Sequence, residues 1–518
     1  MNPFPWITLL TFTPLVGGFI VIGLAGRSRN AARGLALTFS LVAFAVAGLI
    51  WGRFDLTAAG IQFGERHAWI PTLGVEYVVG VDGLSLLMVM LSAILAPMAI
   101  LSAWKSGEES PLFYGLVLFL QSGLIGTFTA LNFFHWFIYW ELSLIPAFFL
   151  IKFRGGPRRS EAATQFFIYT MVGSIALLLS FLALHQATGT FDFFELAELG
   201  QSGGLAAELA SKLGWYNLTP NELALIIFGG AFLGFAVKVP LMPFHTWLPI
   251  TYAEAPTPVT MLLTGAMSKM GVYGFLRILL PIFPDQMRLV QTPLLCLAVI
   301  TIVFAAAAAF AQKDLKRILA YSSINHLGYC LLGIFALATF TGNDAAMAGE
   351  KAAVYNGVLL QMFNHGLTAA TLFCFVGFIE RRTNGVRGLD DFGGLRKAAP
   401  VFCGLMGISL FSSLGLPGLN GFVGEFLIFK GVFPLAWWAA ALSTLGLLIT
   451  AVFILTILQR VFNGPSNEKW AGFGDLSPSE RWIVVPAILL MFVLGIYPQV
   501  AVEAVNSTVA QLAAQLNY

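Results

Sequence analysis

Apolar runs, most of them close to the roughly twenty residues that a helix needs to cross a bilayer, follow one another from end to end of this sequence, and nothing else constrains its fold as strongly. They lie near residues 4–25, 34–52, 82–104, 112–130, 132–151, 163–186, 220–252, 257–280, 291–311, 316–339, 353–379, 398–432, 433–460 and 482–500. The chain is 58% hydrophobic and 10% charged, whereas a soluble domain carries about 25% charge, so no aqueous fold can hide this surface. In lipid the backbone must close its own hydrogen bonds, which favours helices. The expected fold is therefore an all-α polytopic membrane protein with about 14 transmembrane helices. The first run, Trp6 to Leu24, lacks a basic stretch before it and a small-residue cleavage pattern after it, so it reads as span 1 and not as a signal peptide.

A formal net charge of +2 argues against a nucleic-acid role and leaves the placement of charge as the informative quantity. With loops assigned alternately to two sides, 19 of the 28 basic residues fall on one side, from Arg27, Arg29, Arg33 and Lys105 through Lys313, Lys316 and Arg317 to Arg481. Two more, Lys238 and Lys269, lie inside spans. The positive-inside rule makes the basic side cytoplasmic, and an even number of spans then puts both termini outside, in the periplasm if the membrane is a bacterial inner membrane. The acidic loop from Phe191 to Gly214 falls on that outer side. The four cysteines, Cys296, Cys330, Cys374 and Cys403, are far apart in apolar runs, so neither a disulfide framework nor an iron–sulfur site is expected.

Two runs are too long for one straight helix and carry breakers: Gly234, Pro240 and Pro243 in span 7, Gly415-Leu416-Pro417-Gly418 in span 12. Both are expected to be broken helices, tolerable at membrane depth only beside protein or a wet cavity. Five spans separate the breaks, and an odd offset inverts orientation, so two inverted five-helix repeats are expected. The organisation expected is helices 1–3 in residues 1–111, a first repeat (helices 4–8) in 112–281, a second (helices 9–13) in 291–460, and a loop with helix 14 in 461–518.

Ionisable residues sit deep inside these runs: Glu141 in span 5, Lys238 in span 7, Lys269 in span 8, His326 in span 10, His365 in span 11 and Glu425 past the break in span 12. A charge at the bilayer centre costs about 2.5–3.5 kcal/mol on insertion scales, so these groups must face one another or water. Glu141 or Lys238 alone would read as half of a structural ion pair, and each histidine alone as a packing residue; together they read as a path. A lysine in apolar surroundings gives up its proton more readily and a nearby carboxylate holds it back, so moving the carboxylate switches the lysine. That is the chemistry of a proton relay. His135, His185 and His245 lie nearer span ends and read as packing residues. No phosphate-binding loop, H-E-x-x-H or G-x-S-x-G occurs, and no metal-ligand spacing is present.

Longer strings surround these residues: Trp140-Glu141-Leu142-Ser143-Leu144-Ile145-Pro146; Lys238-Val239-Pro240 and Pro243-Phe244-His245-Thr246-Trp247-Leu248-Pro249; Glu254-Ala255-Pro256-Thr257; and Lys269-Met270-Gly271-Val272-Tyr273-Gly274. Others are Asp314-Leu315-Lys316-Arg317, Tyr321-Ser322-Ser323-Ile324-Asn325-His326, Asn364-His365-Gly366, and Leu416-Pro417-Gly418 with Gly421-Phe422-Val423-Gly424-Glu425-Phe426. Across roughly spans 3 to 14 the chain resembles the antiporter-like subunits of respiratory complex I. A glutamate in broken span 12 resembles the M type, since the L and N types carry lysine there. The resemblance implies 14 transmembrane helices, inverted repeats at spans 4–8 and 9–13, and proton-transfer roles for Glu141, Lys238, Lys269, His326 and Glu425, with His365 beside them. After Trp-Leu-Pro the family usually has an aspartate and a nearby histidine; here Ile250, Thr251 and Tyr252 follow.

The resemblance implies a proton-translocating membrane-arm subunit of NADH:quinone oxidoreductase, a translocase without redox activity of its own. The cofactors (FMN, iron–sulfur clusters, quinone) would lie in partner subunits, with none in this chain. Expected partners are the L- and N-type and small membrane-arm subunits, the peripheral arm indirectly, protons, water and lipid. The rival readings are a subunit of a multi-component Na+(K+)/H+ antiporter and the equivalent subunit of a ferredoxin-dependent relative.

Overall fold

The computed structural model describes residues 4–23, 29–104, 110–214, 217–339 and 344–515, so Arg27 and Lys105 lie outside the described residues. Helices dominate, and among the described residues twelve are long and apolar enough to cross a membrane. The first crossings are α1 (Trp6–Gly23), α2 (Arg29–Arg53), α3 (Gly83–Ala103), α4 (Pro111–Thr129), α5 (Phe133–Arg154), α6 (Arg159–Thr188) and α9 (Pro220–Lys238). Later ones are α15 (Gln291–Ala311), α16 (Leu315–Leu337), α17 (Asp344–Thr383), α21 (Trp437–Ile457) and α22 (Pro478–Ile496). Their starts are marked by side chains that satisfy the free N–H groups of the first turn. Asn132 accepts from Phe134 N, Asp314 from Arg317 N, and Thr219 with Glu222 forms a reciprocal capping box ahead of Pro220.

The remaining expected crossings are interrupted. Residues 257–282 run as α11 (Thr257–Leu262), α12 (Ser268–Gly274) and α13 (Leu280–Ile282), separated by single π turns at Leu263–Met267 and Phe275–Leu279. The sequence places a single span here, near residues 257–280, with no break in it. Span 12 divides into α19 (Pro400–Leu414) and α20 (Asn420–Leu435) around Gly415 and Gly418, whose φ of +80° and +92° suit glycine. Span 7 divides after Lys238: residues 239–246 leave the helix and α10 (Trp247–Glu254) resumes it. The breakers there are Pro240 and Pro243. Gly234 is instead a packing residue, because a Cβ on it would lie 2.7 Å from Leu177 Cβ and 2.9 Å from Gly173 O.

The bundle has two distinct ends. At one, Arg387 pairs with Asp314 (2.5 Å) and Glu380 (2.9 Å), Lys316 with Glu380 (2.9 Å), Arg382 with Glu480 (2.6 Å) and Arg460 with Asp390 (2.7 Å). This is the basic end. At the other lies an antiparallel hairpin of β1 (Gln62–Ile70) and β2 (Val75–Val81), which the sequence reading did not anticipate. Glu65 of the hairpin is buried and accepts from Ile7 N at 2.7 Å, tying the hairpin to α1. The acidic loop folds as α7 (Phe193–Gln201) and α8 (Leu205–Leu213), and α23 (Gln499–Gln515) follows the last crossing to cover the same end through Thr508.

Candidate functional site

Lys269 stands on α12 between the two π turns and is fully buried. Its ammonium donates to Thr264 O at 2.5 Å, a carbonyl within the first π turn, and to His365 Nδ1 at 2.8 Å. With a lysine donating to Nδ1, His365 carries its own proton on Nε2. The His365 and His326 rings are 5.1 Å apart between centroids. His326 Nδ1 is 3.0 Å from Glu425 Oε1 and its Nε2 is 3.2 Å from Ser413 Oγ. Facing a carboxylate, Nδ1–H is the donor. Gln361 Nε2 also donates to Glu425 Oε1, at 3.2 Å. Four of the six expected site residues thus form one buried row, ordered Lys269, His365, His326, Glu425.

Close backbone approach makes the row possible. A Cβ on Gly366 would lie 2.5 Å from Gly265 O, so α17 crosses residues 257–282 backbone to backbone beside Lys269 and His365. A Cβ on Gly424 would lie 2.8 Å from Gln361 N, which is how α20 comes near enough to α17 for Gln361 to reach Glu425. The span 12 break is fastened by Asn364 Nδ2 donating to Asn420 O (2.7 Å) and Ser412 Oγ to Asn420 Oδ1 (2.5 Å). Gly415 leaves room for the acid, since a Cβ there would lie 2.7 Å from Glu425 Oε2.

Glu141 and Lys238 form a different arrangement. Lys238, the last residue of α9, is 2% exposed, and among the described residues its Nζ has no hydrogen-bond partner. It rests over the Trp140 ring, 4.7 Å from the centroid. Trp140 is held by donating from Nε1 to Ser174 Oγ at 2.9 Å. Glu141 Oε1 is likewise buried without a partner, so the two residues expected to pair share a neighbourhood through Trp140 but no direct hydrogen bond. Beside them, the break frees Val237 O, which the Trp247 indole takes up at 3.0 Å, and Met242 N, which donates to Thr301 Oγ1 at 3.1 Å. Where the resemblance leads one to expect acid and histidine, Thr251 donates to Trp247 O and Tyr252 is buried.

His135 and His185 are packed on aromatic rings, His135 against Tyr77 (4.6 Å) and His185 stacked on Phe191 (4.0 Å), as their positions near span ends led one to expect. His245 stays out of the row, its nearest aromatic being Tyr321 at 6.4 Å. Gln361, Ser413 and Asn420 were missed by sequence reasoning. A signal existed for Gln361, which precedes His365 by four residues and so shares its helix face. Among the described residues, no group of three His, Cys, Asp or Glu side chains is placed to hold a metal. The row consists of ionisable side chains shielded from bulk water, hydrogen-bonded from Lys269 to His365 and from His326 to Glu425, with the two histidine rings side by side between those pairs.

The profile of the family described as NADH:quinone oxidoreductase/Mrp antiporter, transmembrane, matches residues 130–450. The NADH-quinone oxidoreductase subunit M of Rhodobacter capsulatus is 35% identical, over 98% of this chain and 96% of its own. A chain of the respiratory complex I of Thermus thermophilus with bound NADH superposes with a TM-score of 0.83 at 28% identity, covering 99% of this chain and 100% of that one. A chain of the Mrp complex from Dietzia sp. DQ12-45-1b has the same fold, with a TM-score of 0.84 at 19% identity, covering 99% and 98%.

Proposed function

This chain belongs to the NADH:quinone oxidoreductase/Mrp antiporter transmembrane family, and we propose that it is the M-type, proton-translocating membrane-arm subunit of an NADH:quinone oxidoreductase. The observation that carries this reading is the continuous buried row from Lys269 to Glu425. In it, Lys269 gives a proton to His365 Nδ1 while the Nε2 proton of His365 moves on to His326. His326 passes its Nδ1 proton to Glu425, which serves the outlet half of the path. Glu141 and Lys238 supply the coupling: bringing the carboxylate to the lysine stabilises the ammonium, and withdrawing it releases the proton toward Lys269.

We take the basic end to be cytoplasmic and both termini to be periplasmic, because basic residues cluster at one end of the bundle. Residues 112–281 and 291–460 are read as inverted repeats, so that Glu141 corresponds to His326 and Lys238 to Glu425. Flavin, iron–sulfur clusters and quinone belong to partner subunits in this reading, and this chain moves protons only. The L- and N-type subunits are its neighbours in the membrane. A subunit of a multi-component cation/proton antiporter is the second reading, favoured by the shared fold with the Mrp chain. Co-purification with flavin and iron–sulfur subunits separates the two.

Replacement of Glu425 tests the relay. Glu425→Gln is expected to lose more proton translocation than Glu425→Asp or Glu425→Lys, which keep a titratable group, with rates normalised to assembled complex. Equal losses in all three would mean that Glu425 supplies shape and not proton exchange. Orientation is tested by single cysteines at the exposed positions 203 and 396. An impermeant thiol reagent outside intact cells should label the first and spare the second, and the reverse pattern would invert the topology.

A further inference from the structure

Below Lys269, toward the hairpin end, the same span carries two more buried polar side chains, Tyr273 on α12 and Arg277 in the second π turn. The Tyr273 hydroxyl donates to Phe128 O at 3.3 Å and accepts from Arg277 Nε at 3.2 Å. The guanidinium of Arg277, 5% exposed, closes on the carboxylate of Asp82, 3% exposed. Asp82 cannot drift, because its Oδ1 also caps α3 by accepting from Leu84 N (3.1 Å) and Ser85 N (3.2 Å). Beyond the pair opens a cavity of about 400 Å³ at the hairpin end, lined among others by Glu198, Gln201, Gln511 and Thr508. Polar side chains therefore recur every four residues from Lys269 toward a cavity on that side, and the buried ion pair stands at the wall of that cavity.

A row that carries protons sideways from Lys269 to Glu425 does useful work only if Lys269 cannot discharge straight to the hairpin end. A fixed guanidinium in a narrow polar passage raises an electrostatic barrier to a proton, as it does in water-selective pores. Its carboxylate partner keeps that charge seated in a dry site where an unpaired cation would be costly. We propose that the Asp82–Arg277 pair is a proton seal that blocks a direct route from Lys269 to the hairpin-end cavity and so obliges protons to travel along the row. This rests on the relay reading of that row. It assigns Arg277 and Asp82 a role in coupling, not in proton transfer.

The test is the passive collapse of an imposed pH gradient across liposomes containing the purified whole complex, with no electron donor or quinone added. Asp82→Asn with Arg277→Gln removes both charges, leaves none unpaired, and keeps an N-cap on α3. This variant is expected to lose the gradient severalfold faster than the parent, whereas Arg277→Lys, which keeps the cation, stays tight. Adding Lys269→Met to the leaky variant should restore parental tightness, because the leak runs through Lys269. A charge-free variant as tight as the parent overturns the seal; so does a leak that Lys269→Met leaves unchanged, since it bypasses the row. Should the Asn/Gln variant fail to assemble, Asp82→Ser with Arg277→Ser retains a capping residue and makes the same measurement. No turnover is needed, so the outcome is separate from that of the relay, whose own failure would show as normal pumping by Glu425→Gln.

Discussion

Glu141 with Lys238 and His326 with Glu425 each set a residue of a continuous helix beside one at a broken helix, yet they are built in opposite senses. In the first half the acid is on the continuous helix and the base at the break; in the second the base is on the continuous helix and the acid follows the break. The second pair is closed, with His326 and Glu425 3.0 Å apart and both tied to further partners, Ser413 and Gln361. The first is open: Lys238 Nζ rests on an aromatic face, and neither it nor Glu141 Oε1 has a hydrogen bond. An ammonium resting on an aromatic face is held less tightly than a group in a hydrogen-bonded pair, so the open pair is the easier of the two to move. The difference teaches that one frame supports an engaged and a disengaged pair, and the disengaged one is where an outside force has most to act upon.

The largest effect is therefore expected at the open pair. Glu141→Gln removes the switchable charge at nearly constant volume and should cut proton translocation and coupled quinone reduction by roughly tenfold or more, equivalent to at least about 1.4 kcal/mol in the rate-limiting step. Glu141→Asp keeps the charge on a shorter arm and should retain a good part. If the two residues act as a unit, Glu141→Gln combined with Lys238→Met is no worse than either alone. Membrane-vesicle assays of proton uptake and NADH-dependent quinone reduction, normalised to assembled complex, decide it. Parental rates in Glu141→Gln would return the pair to a structural role, and strictly additive losses would separate the two residues.

A smaller effect is expected from disturbing the closed pair through its backbone. Gly415 has φ of +80°, and a Cβ on it would stand 2.7 Å from Glu425 Oε2. Gly415→Ala adds about 1–2 kcal/mol of left-handed strain and pushes the carboxylate off His326. The complex should assemble with pumping reduced severalfold. In the first half, Gly234→Ala meets only Leu177 and the Gly173 carbonyl, so its cost should fall on the amount of assembled complex and not on the rate per complex. Native electrophoresis alongside the vesicle assay separates these outcomes. Loss of assembly in both variants would remove the distinction between a glycine that spares an acid and one that spares a helix contact.

Much of this was legible because lipid makes depth informative: Glu141, Lys238, Lys269, His326, His365 and Glu425 stand out where a charge is expensive. Pro240 and Gly415 announced the breaks by the same logic, since both disrupt a helix that has no water to repair it. The order of the row was not legible. His365 lies between Lys269 and His326 because glycines set how closely three helices cross, and that is a property of packing, not of spacing along the chain. The π turns around Lys269 carry no composition of their own. Arg277 escaped notice because it falls near the end of span 8, where a cation reads as a loop residue; its spacing of four from Tyr273 and eight from Lys269 was the available signal. The hairpin was hidden because its outward face is polar and half-exposed, so it read as loop.

The smallest effect marks where the comparison ends. His185 is a histidine like His365, also on a crossing helix, but it stands near the end of that helix and among different neighbours. Its ring lies 4.0 Å from Phe191 with the planes 10° apart, at the last turn of α6, and among the described residues it makes no ion pair. A stacked imidazole in such a place contributes area and not proton exchange, so His185→Phe should preserve the contact. Its cost is expected to stay within about 0.5 kcal/mol of stability, with pumping and quinone reduction at parental rates. His365→Phe, by contrast, deletes the acceptor 2.8 Å from Lys269 and leaves that ammonium short of a partner in a fully buried site. Matched vesicle assays on the two variants put the same chemical change inside and outside the row. Equal pumping by both would show that a histidine's place in the row is irrelevant to transport, and the row would then be packing alone.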